Sequence, residues 1–292
     1  MPLPPRRGRP TGESPIEHLV ARLDESIPGA PRADTVPTGY PSLDRMLGGG
    51  LRRQDLVILC GDIGSGKSSL GLGIAVRSAL AGTPTTFLSG EMTEERLMER
   101  VLALEGRASI DDLRTGRVDE ATRSAVGAAA VRLRDVPLQF KALSGHAFRE
   151  VEEALDAVPR RELLVVDSLQ MVGTEQPVQA AEEIAAGAAR ALKAMALDRD
   201  VTVLALAHLP RHRATRRDPR PTLDDLGALG AVKQHADLVL AIYREEMYRP
   251  GGGVEGATEL IVAKNRNGPT GFVDLYFYRQ WLRFEDMLDP EP

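Results

Sequence analysis

The octapeptide Gly61-Asp62-Ile63-Gly64-Ser65-Gly66-Lys67-Ser68 constrains this chain more than any other feature. It directly follows the apolar run Leu56-Val57-Ile58-Leu59-Cys60 and precedes a helix-compatible stretch. That is the G-x-x-x-x-G-K-[ST] phosphate loop in its confirming context of buried strand, tight loop and helix. Glycines let backbone N–H groups turn toward anionic phosphates at a helix N-terminus. Residues Gly61 to Ser68, with Ser69 on the first helical turn, are therefore expected to cradle the phosphates of a nucleoside triphosphate. Lys67 would neutralise the β- and γ-phosphates, and the Ser68 hydroxyl would hold Mg²⁺.

From about residue 38 the chain alternates apolar strands, at 56–60, 85–88, 163–166, 201–207 and 237–242, with helical stretches at 68–81, 93–105, 147–157 and 179–197. Continuous apolar strands alternating with helices predict an α/β fold whose mainly parallel sheet is covered on both faces. Segments 258–264 and 272–278 instead alternate apolar with polar residues around the turn-rich Asn265–Gly271, which predicts a C-terminal β-hairpin. Residues 1–14 are rich in Pro, Gly and Arg and are expected to be disordered. Ile16, Leu19, Val20 and Leu23 fall at i, i+3, i+4 and i+7, which predicts a short amphipathic helix over 15–25. Periodicity leaves open whether it folds back or docks on a neighbouring copy.

Composition narrows the function. Aromatic residues are 4% of the chain, which argues against aromatic stacking as the main grip on single-stranded bases. A net charge of −5 requires any nucleic-acid contact to be a local patch. Cys60, the single cysteine, forms no intrachain disulfide and reads as a small core side chain. With no apolar run of membrane-spanning length and no signal-peptide pattern, the expectation is a cytoplasmic protein without membrane contact.

Leu163-Leu164-Val165-Val166-Asp167 has the form of a Walker B strand, and Asp167 is expected at the carboxyl edge of the sheet, orienting Mg²⁺ or its waters. Hydrolysis further needs a group that activates water. Glu91, after the strand Thr86-Phe87-Leu88, is the candidate, although an acid in the first turn of the following helix has the same local form. Lys264 and Arg266, two residues apart near the hairpin tip, face one side. They read either as cations aimed at the γ-phosphate of a neighbouring subunit or as a solvated basic tip. Arg211, Arg213, Arg216, Arg217 and Arg220 form a basic run that is either a solvated loop or a polyanion-binding one.

These motifs together resemble the C-terminal motor domain of DnaB-type replicative helicases, which has a RecA-like P-loop NTPase fold. The resemblance runs from Pro37-Thr38-Gly39-Tyr40-Pro41-Ser42-Leu43-Asp44 to about Phe284. It takes in the phosphate loop, Ser89-Gly90-Glu91-Met92-Thr93, Leu113-Arg114-Thr115-Gly116 and Val166-Asp167-Ser168-Leu169-Gln170. It continues through Gln234-His235-Ala236-Asp237-Leu238, Ile242-Tyr243-Arg244 and Ala263-Lys264-Asn265-Arg266-Asn267-Gly268-Pro269. It implies Glu91 as the water-activating base and Lys264 with Arg266 as cations acting in trans. It further implies Mg-ATP hydrolysed between the subunits of a homo-oligomeric ring, a hexamer in that family, translocating on single-stranded DNA. The helix at 15–25 would then clip neighbouring motors together. The expected organisation is a tail over 1–34 and a motor over 35–289, with no room for the family's N-terminal helical domain.

Two departures stand out. Where the family has a γ-phosphate-sensing glutamine, this chain has Ala207-His208-Leu209, which makes His208 the candidate sensor. Where it has the DNA-backbone loop Asp-Leu-Arg-Glu-Ser-Gly, this chain has Asp225-Leu226-Gly227-Ala228-Leu229-Gly230. Nucleic-acid contacts would then fall to backbone at Gly227 and Gly230, to Lys233 and to Arg211, Arg213, Arg216 and Arg217. Weaker or altered DNA binding is expected. The alternative is a RecA-superfamily ATPase that gates or loads a protein partner without unwinding DNA. A non-enzymatic, ATP-stabilised ring is disfavoured by Glu91 and Arg266.

Overall fold

Alternate residues of one short strand face two different hydrophobic cores, and the architecture follows from that. In β3 (Leu56–Gly61), Leu56, Ile58 and Cys60 join one core while Val57 and Leu59 join the other. A strand apolar on both sides is stable only in a sheet covered on both sides. The computed structural model describes residues 14, 16, 20, 34–144, 148–157, 162–173, 181–209, 216–226 and 230–287. The chain divides into units Met1–Ala33 and Asp34–Pro292. In the first, Ile16 and Val20 are helical, and the rest of the expected 15–25 helix lies outside the described residues.

The second unit runs β1 (Thr35–Val36), α1 (Pro41–Leu47), β2 (Leu51–Arg52), β3, α2 (Lys67–Leu80), β4 (Thr85–Ser89), α3 (Glu94–Gly106), α4 (Ile110–Thr115) and α5 (Glu120–Leu133). It continues β5 (Leu138–Ala142), α6 (Phe148–Asp156), β6 (Leu163–Asp167), α7 (Ala181–Arg199), β7 (Thr202–His208), α8 (Gly230–His235), β8 (Leu238–Tyr243), β9 (Ala257–Asn265), β10 (Gly271–Tyr278) and β11 (Arg283–Asp286). Nine strands form one sheet in the order β11-β10-β9-β8-β3-β7-β6-β4-β5. From β8 to β5 every pairing is parallel, and β9, β10 and β11 extend it antiparallel. Helices α1, α2 and α3 contribute to one core through Leu43, Leu70, Ile74 and Leu97. Helices α6 and α7 contribute to the other through Val151, Ala189 and Leu192.

The strands, helices and hairpin expected of the second unit all appear. The structure adds β1, α1, β2, α4, α5, β5, α8 and β11, which the strand-and-helix reading does not name. Only Ala129 is buried in α5, so that helix has no apolar stripe to read. The Thr38–Asp44 motif is a structural clasp. Asp44 accepts from Thr38 N at 2.9 Å, Thr38 Oγ1 at 2.7 Å and Gly39 N at 3.2 Å. Arg77 then lies 4.3 Å over the Tyr40 ring and donates to Gly39 O at 2.8 Å, which ties the clasp to α2.

Candidate nucleotide site

Four neighbouring strands deliver the candidate hydrolytic groups to one edge of the sheet, because parallel strands in register end together. Gly61 at the end of β3 pairs with His208 of β7, and Asp167 of β6 pairs with Ser89 of β4. The loop after β3 is a tight turn: Gly64 has φ 82° and Gly66 φ 99°, values only glycine adopts without strain. Lys67 is buried, and its Nζ donates to Gly61 O at 3.1 Å and Asp62 O at 2.8 Å. Burial pulls its pKa down, against the charges of Asp167, Asp62 and Glu91.

Asp167 is buried, and desolvation raises its pKa although the Ser68 hydroxyl hydrogen-bonds to it. Its Oδ2 is buried without a partner. An orphaned carboxylate oxygen beside a serine hydroxyl is the oxygen donor set that Mg²⁺ takes, so the residues fit that ion. Glu91 leaves β4 through a turn in which Ser89 Oγ accepts from Glu91 N at 3.2 Å and Met92 N at 2.9 Å. Its Oε1 lies 3.3 Å from Ser168 Oγ and 3.3 Å from His208 Nε2. Gln170 holds the His208 backbone on both sides, its Nε2 donating to His208 O and its Oε1 accepting from His208 N, each at 3.4 Å. Loop, lysine, serine, aspartate, glutamate and histidine thus form one half-open cluster.

Lys264 and Arg266 lie at the other edge. Strand β9 runs antiparallel to β8, which places Asn265 opposite Leu238, the first residue of β8. Asp237 N donates to Leu56 O at the start of β3, at 2.9 Å. The length of β3 therefore separates this corner from the phosphate loop, roughly 17 Å at the usual rise per residue. Lys264 Nζ donates to Lys233 O at 2.7 Å and Ala236 O at 2.6 Å at the end of α8. Arg266 Nη1 lies 3.4 Å from Asp237 Oδ1, and its side chain is 53% exposed. Asp237 is buried and also bound by Lys193 at 2.6 Å, which makes it the anchor of this corner.

The basic segment is partly spent on internal ion pairs. Arg216 bonds Asp225 at 2.7 Å, and Lys233 bonds Asp224 at 3.2 Å. Arg220 makes a fork with Glu259 at 2.7 and 2.6 Å. Arg217 is exposed, Gly230 opens α8, and Arg211, Arg213 and Gly227 lie outside the described residues. Sequence reasoning assigned no role to Arg244, Phe277 or Phe284. Arg244 is 2% exposed, donates to Gly64 O at 3.3 Å and stacks 4.5 Å over the Phe277 ring, with its Nε unpartnered. Phe277 stacks on Phe284 at 4.4 Å, and Phe284 packs against Gly66. The charge of Arg244 directly after an apolar strand was the available signal.

The model of the DnaB-like helicase C-terminal domain matches residues 35–286. The chain belongs to that family. It is 32% identical over 256 residues to the replicative DNA helicase DnaB of Leifsonia xyli subsp. xyli (strain CTCB07), and 33% identical over 261 residues to that of Pasteurella multocida (strain Pm70). The matches cover 86% and 87% of this chain and 56% of each relative's length. Among solved structures, an isolated ATPase domain superposes with a TM-score of 0.85 over 94% of this chain and 99% of that one, at 25% identity. The RecA-like fold expected from the resemblance is thus the fold observed. Among the described residues no helix is long and apolar enough to cross a membrane.

Proposed function

We propose that residues 35–289 are an ATP-hydrolysing ring motor with its active sites between adjacent copies. The observation that carries this reading is the division of one catalytic set between opposite edges of the sheet. Binding and water-activating groups stand at the carboxyl edge, while Lys264 and Arg266 stand at the far corner, out of reach of their own phosphate loop. Head-to-tail packing of identical subunits brings the two edges together, and such packing forms a ring when its rotation closes. The helix expected over 15–25 would clip neighbours, and six copies is the number the resemblance implies.

In this reading the loop N–H groups and Lys67 hold the β- and γ-phosphates. Ser68 and Asp167 would hold Mg²⁺, which supplies charge neutralisation to the phosphates when bound. Glu91 accepts the proton of the attacking water as its oxygen bonds to the γ-phosphorus and ADP departs. His208, against Glu91 at 3.3 Å, links the γ-phosphate to that base. Arg266 and Lys264 of the next copy stabilise the charge on the transferring phosphoryl group. Beside the loop, Arg244, Phe277 and Phe284 form a buried stack that backs Gly64 and Gly66 and holds the phosphate loop in shape.

Single-stranded DNA is the proposed track, held more weakly than the motif pattern would give, because Arg216 and Lys233 are paired with Asp225 and Asp224. The same pairing favours the second reading, an ATPase that gates or loads a protein partner. Steady-state ATP hydrolysis with and without single-stranded DNA, at about 50 and 200 mM salt, tests both. Stimulation that fades with salt is expected of the DNA motor. Hydrolysis indifferent to DNA would favour the partner-gating reading, and no hydrolysis at all would refute both.

A further inference from the structure

The second residue of the phosphate loop carries a negative charge. Backbone N–H groups and Lys67 attract phosphate there, and a carboxylate free to enter the same cradle repels it. The charge of Asp62 reaches Lys67, where with those of Asp167 and Glu91 it works against the burial that pulls the ammonium's pKa down. The structure shows where that carboxylate is held: the Tyr248 hydroxyl donates to Asp62 Oδ2.

Tyr248 is itself fixed from several sides. It follows the short 3-10 turn Glu245–Met247 after β8, and its backbone N donates to Glu245 O at 2.9 Å. Its ring stacks on Tyr243 with centroids 5.5 Å apart and planes 19° apart. The Arg220 guanidinium lies 4.9 Å over Tyr243 and is pinned by its fork to Glu259. In the same stretch Arg244 donates to Gly64 O, so the segment after β8 grips the phosphate loop at two points. The Asp62 carbonyl also accepts Lys67 Nζ, so fixing Asp62 fixes the place where the ammonium waits.

We propose that Tyr248 is a positioning residue of the nucleotide site: its hydroxyl holds the Asp62 carboxylate out of the phosphate cradle and thereby raises affinity for the triphosphate. The proposal rests on the reading of Gly61–Ser69 as a nucleotide site. The test is titration of the full chain with a fluorescent N-methylanthraniloyl-ATP in Mg²⁺ buffer, for the wild type, Tyr248→Phe, Asp62→Asn and the double variant. Phenylalanine keeps the ring and its stack and removes only the hydroxyl. Tyr248→Phe is expected to weaken binding about 5- to 10-fold. In the Asp62→Asn background the same change should alter affinity less than about twofold, since no charge remains to be held away. The defect should also shrink as salt rises. Wild-type affinity in Tyr248→Phe would overturn the proposal, and so would an equal loss in both backgrounds, the signature of a folding or packing defect. A wild-type chain that binds no nucleotide would instead overturn the nucleotide-site reading.

Discussion

Substituting Gly66 by alanine tests how the phosphate loop is packed, and the cost can be worked from its surroundings. Gly66 has φ 99°, and a Cβ there would lie 2.8 Å from Phe284 Cζ and 2.9 Å from Phe284 Cε2. The ring has no room to retreat, since Phe284 is 0% exposed and stacks on Phe277. The left-handed backbone costs an alanine about 1 kcal/mol, and overpacking a rigid site costs about 1–3 kcal/mol more. Gly66→Ala should therefore lose roughly 2–4 kcal/mol, a large part of a typical stability of about 5–15 kcal/mol. Urea unfolding followed by the fluorescence of Trp281, the single tryptophan, reads this directly. Phe284→Leu makes space at the same spot, so the double variant should be less destabilised than the sum of the singles by about 1–2 kcal/mol. A Gly66→Ala chain within about 0.5 kcal/mol of wild type, or strict additivity in the double variant, would refute this account of the packing.

Three further outcomes follow from the geometry. Glu91→Gln should keep nucleotide affinity but lower hydrolysis by about 10²–10⁴-fold, measured by phosphate release, because a neutral amide cannot accept the water proton. Asp237→Ala should destabilise the fold by about 3–5 kcal/mol in urea unfolding, since it strands Lys193 and the Leu56 N–H. Asp55, pushed up to about 6 by burial and then by the Asp237 charge, favours folding at low pH, and that contribution is lost as pH rises through about 6. Asp55→Asn should therefore be stabilising by about 1–2 kcal/mol near pH 7.5, discounted for partial exposure, and nearly neutral near pH 4, as thermal melts across pH would show.

The doubly covered sheet was legible because its strands are continuous apolar runs. The phosphate loop was legible because its chemistry needs fixed residues at fixed spacing. Local pattern failed where an element is held by few apolar contacts. Helix α5 buries only Ala129, and β5 is a half-buried edge strand. At the hairpin tip, the two-residue spacing of Lys264 and Arg266 gave their common direction. Only the pairing of β9 with β8 assigns them to the edge away from the phosphate loop. The arginine run read correctly as charge, but whether a charge is available depends on tertiary partners such as Asp225 for Arg216. Arg244 was visible as a charge after an apolar strand, yet its approach to Gly64 and Phe277 is made across the fold.

If one copy binds the nucleotide while the next supplies the cations, two variants each inactive alone should restore activity to one another in a mixed ring. Lys67→Ala removes the ammonium proposed to bind phosphate, and Arg266→Ala removes the guanidinium proposed to act in trans; losing such a finger costs about 10³–10⁵-fold in this reaction class. Arg266 is half exposed, so its removal should cost no more than about 1 kcal/mol of stability. Co-expressed at equal amounts in one ring, half the copies carry an intact loop and half an intact Arg266, so about a quarter of interfaces are complete. Mixed rings are expected to hydrolyse ATP at about a quarter of the wild-type rate. Mixed rings no more active than either variant alone would contradict this reading.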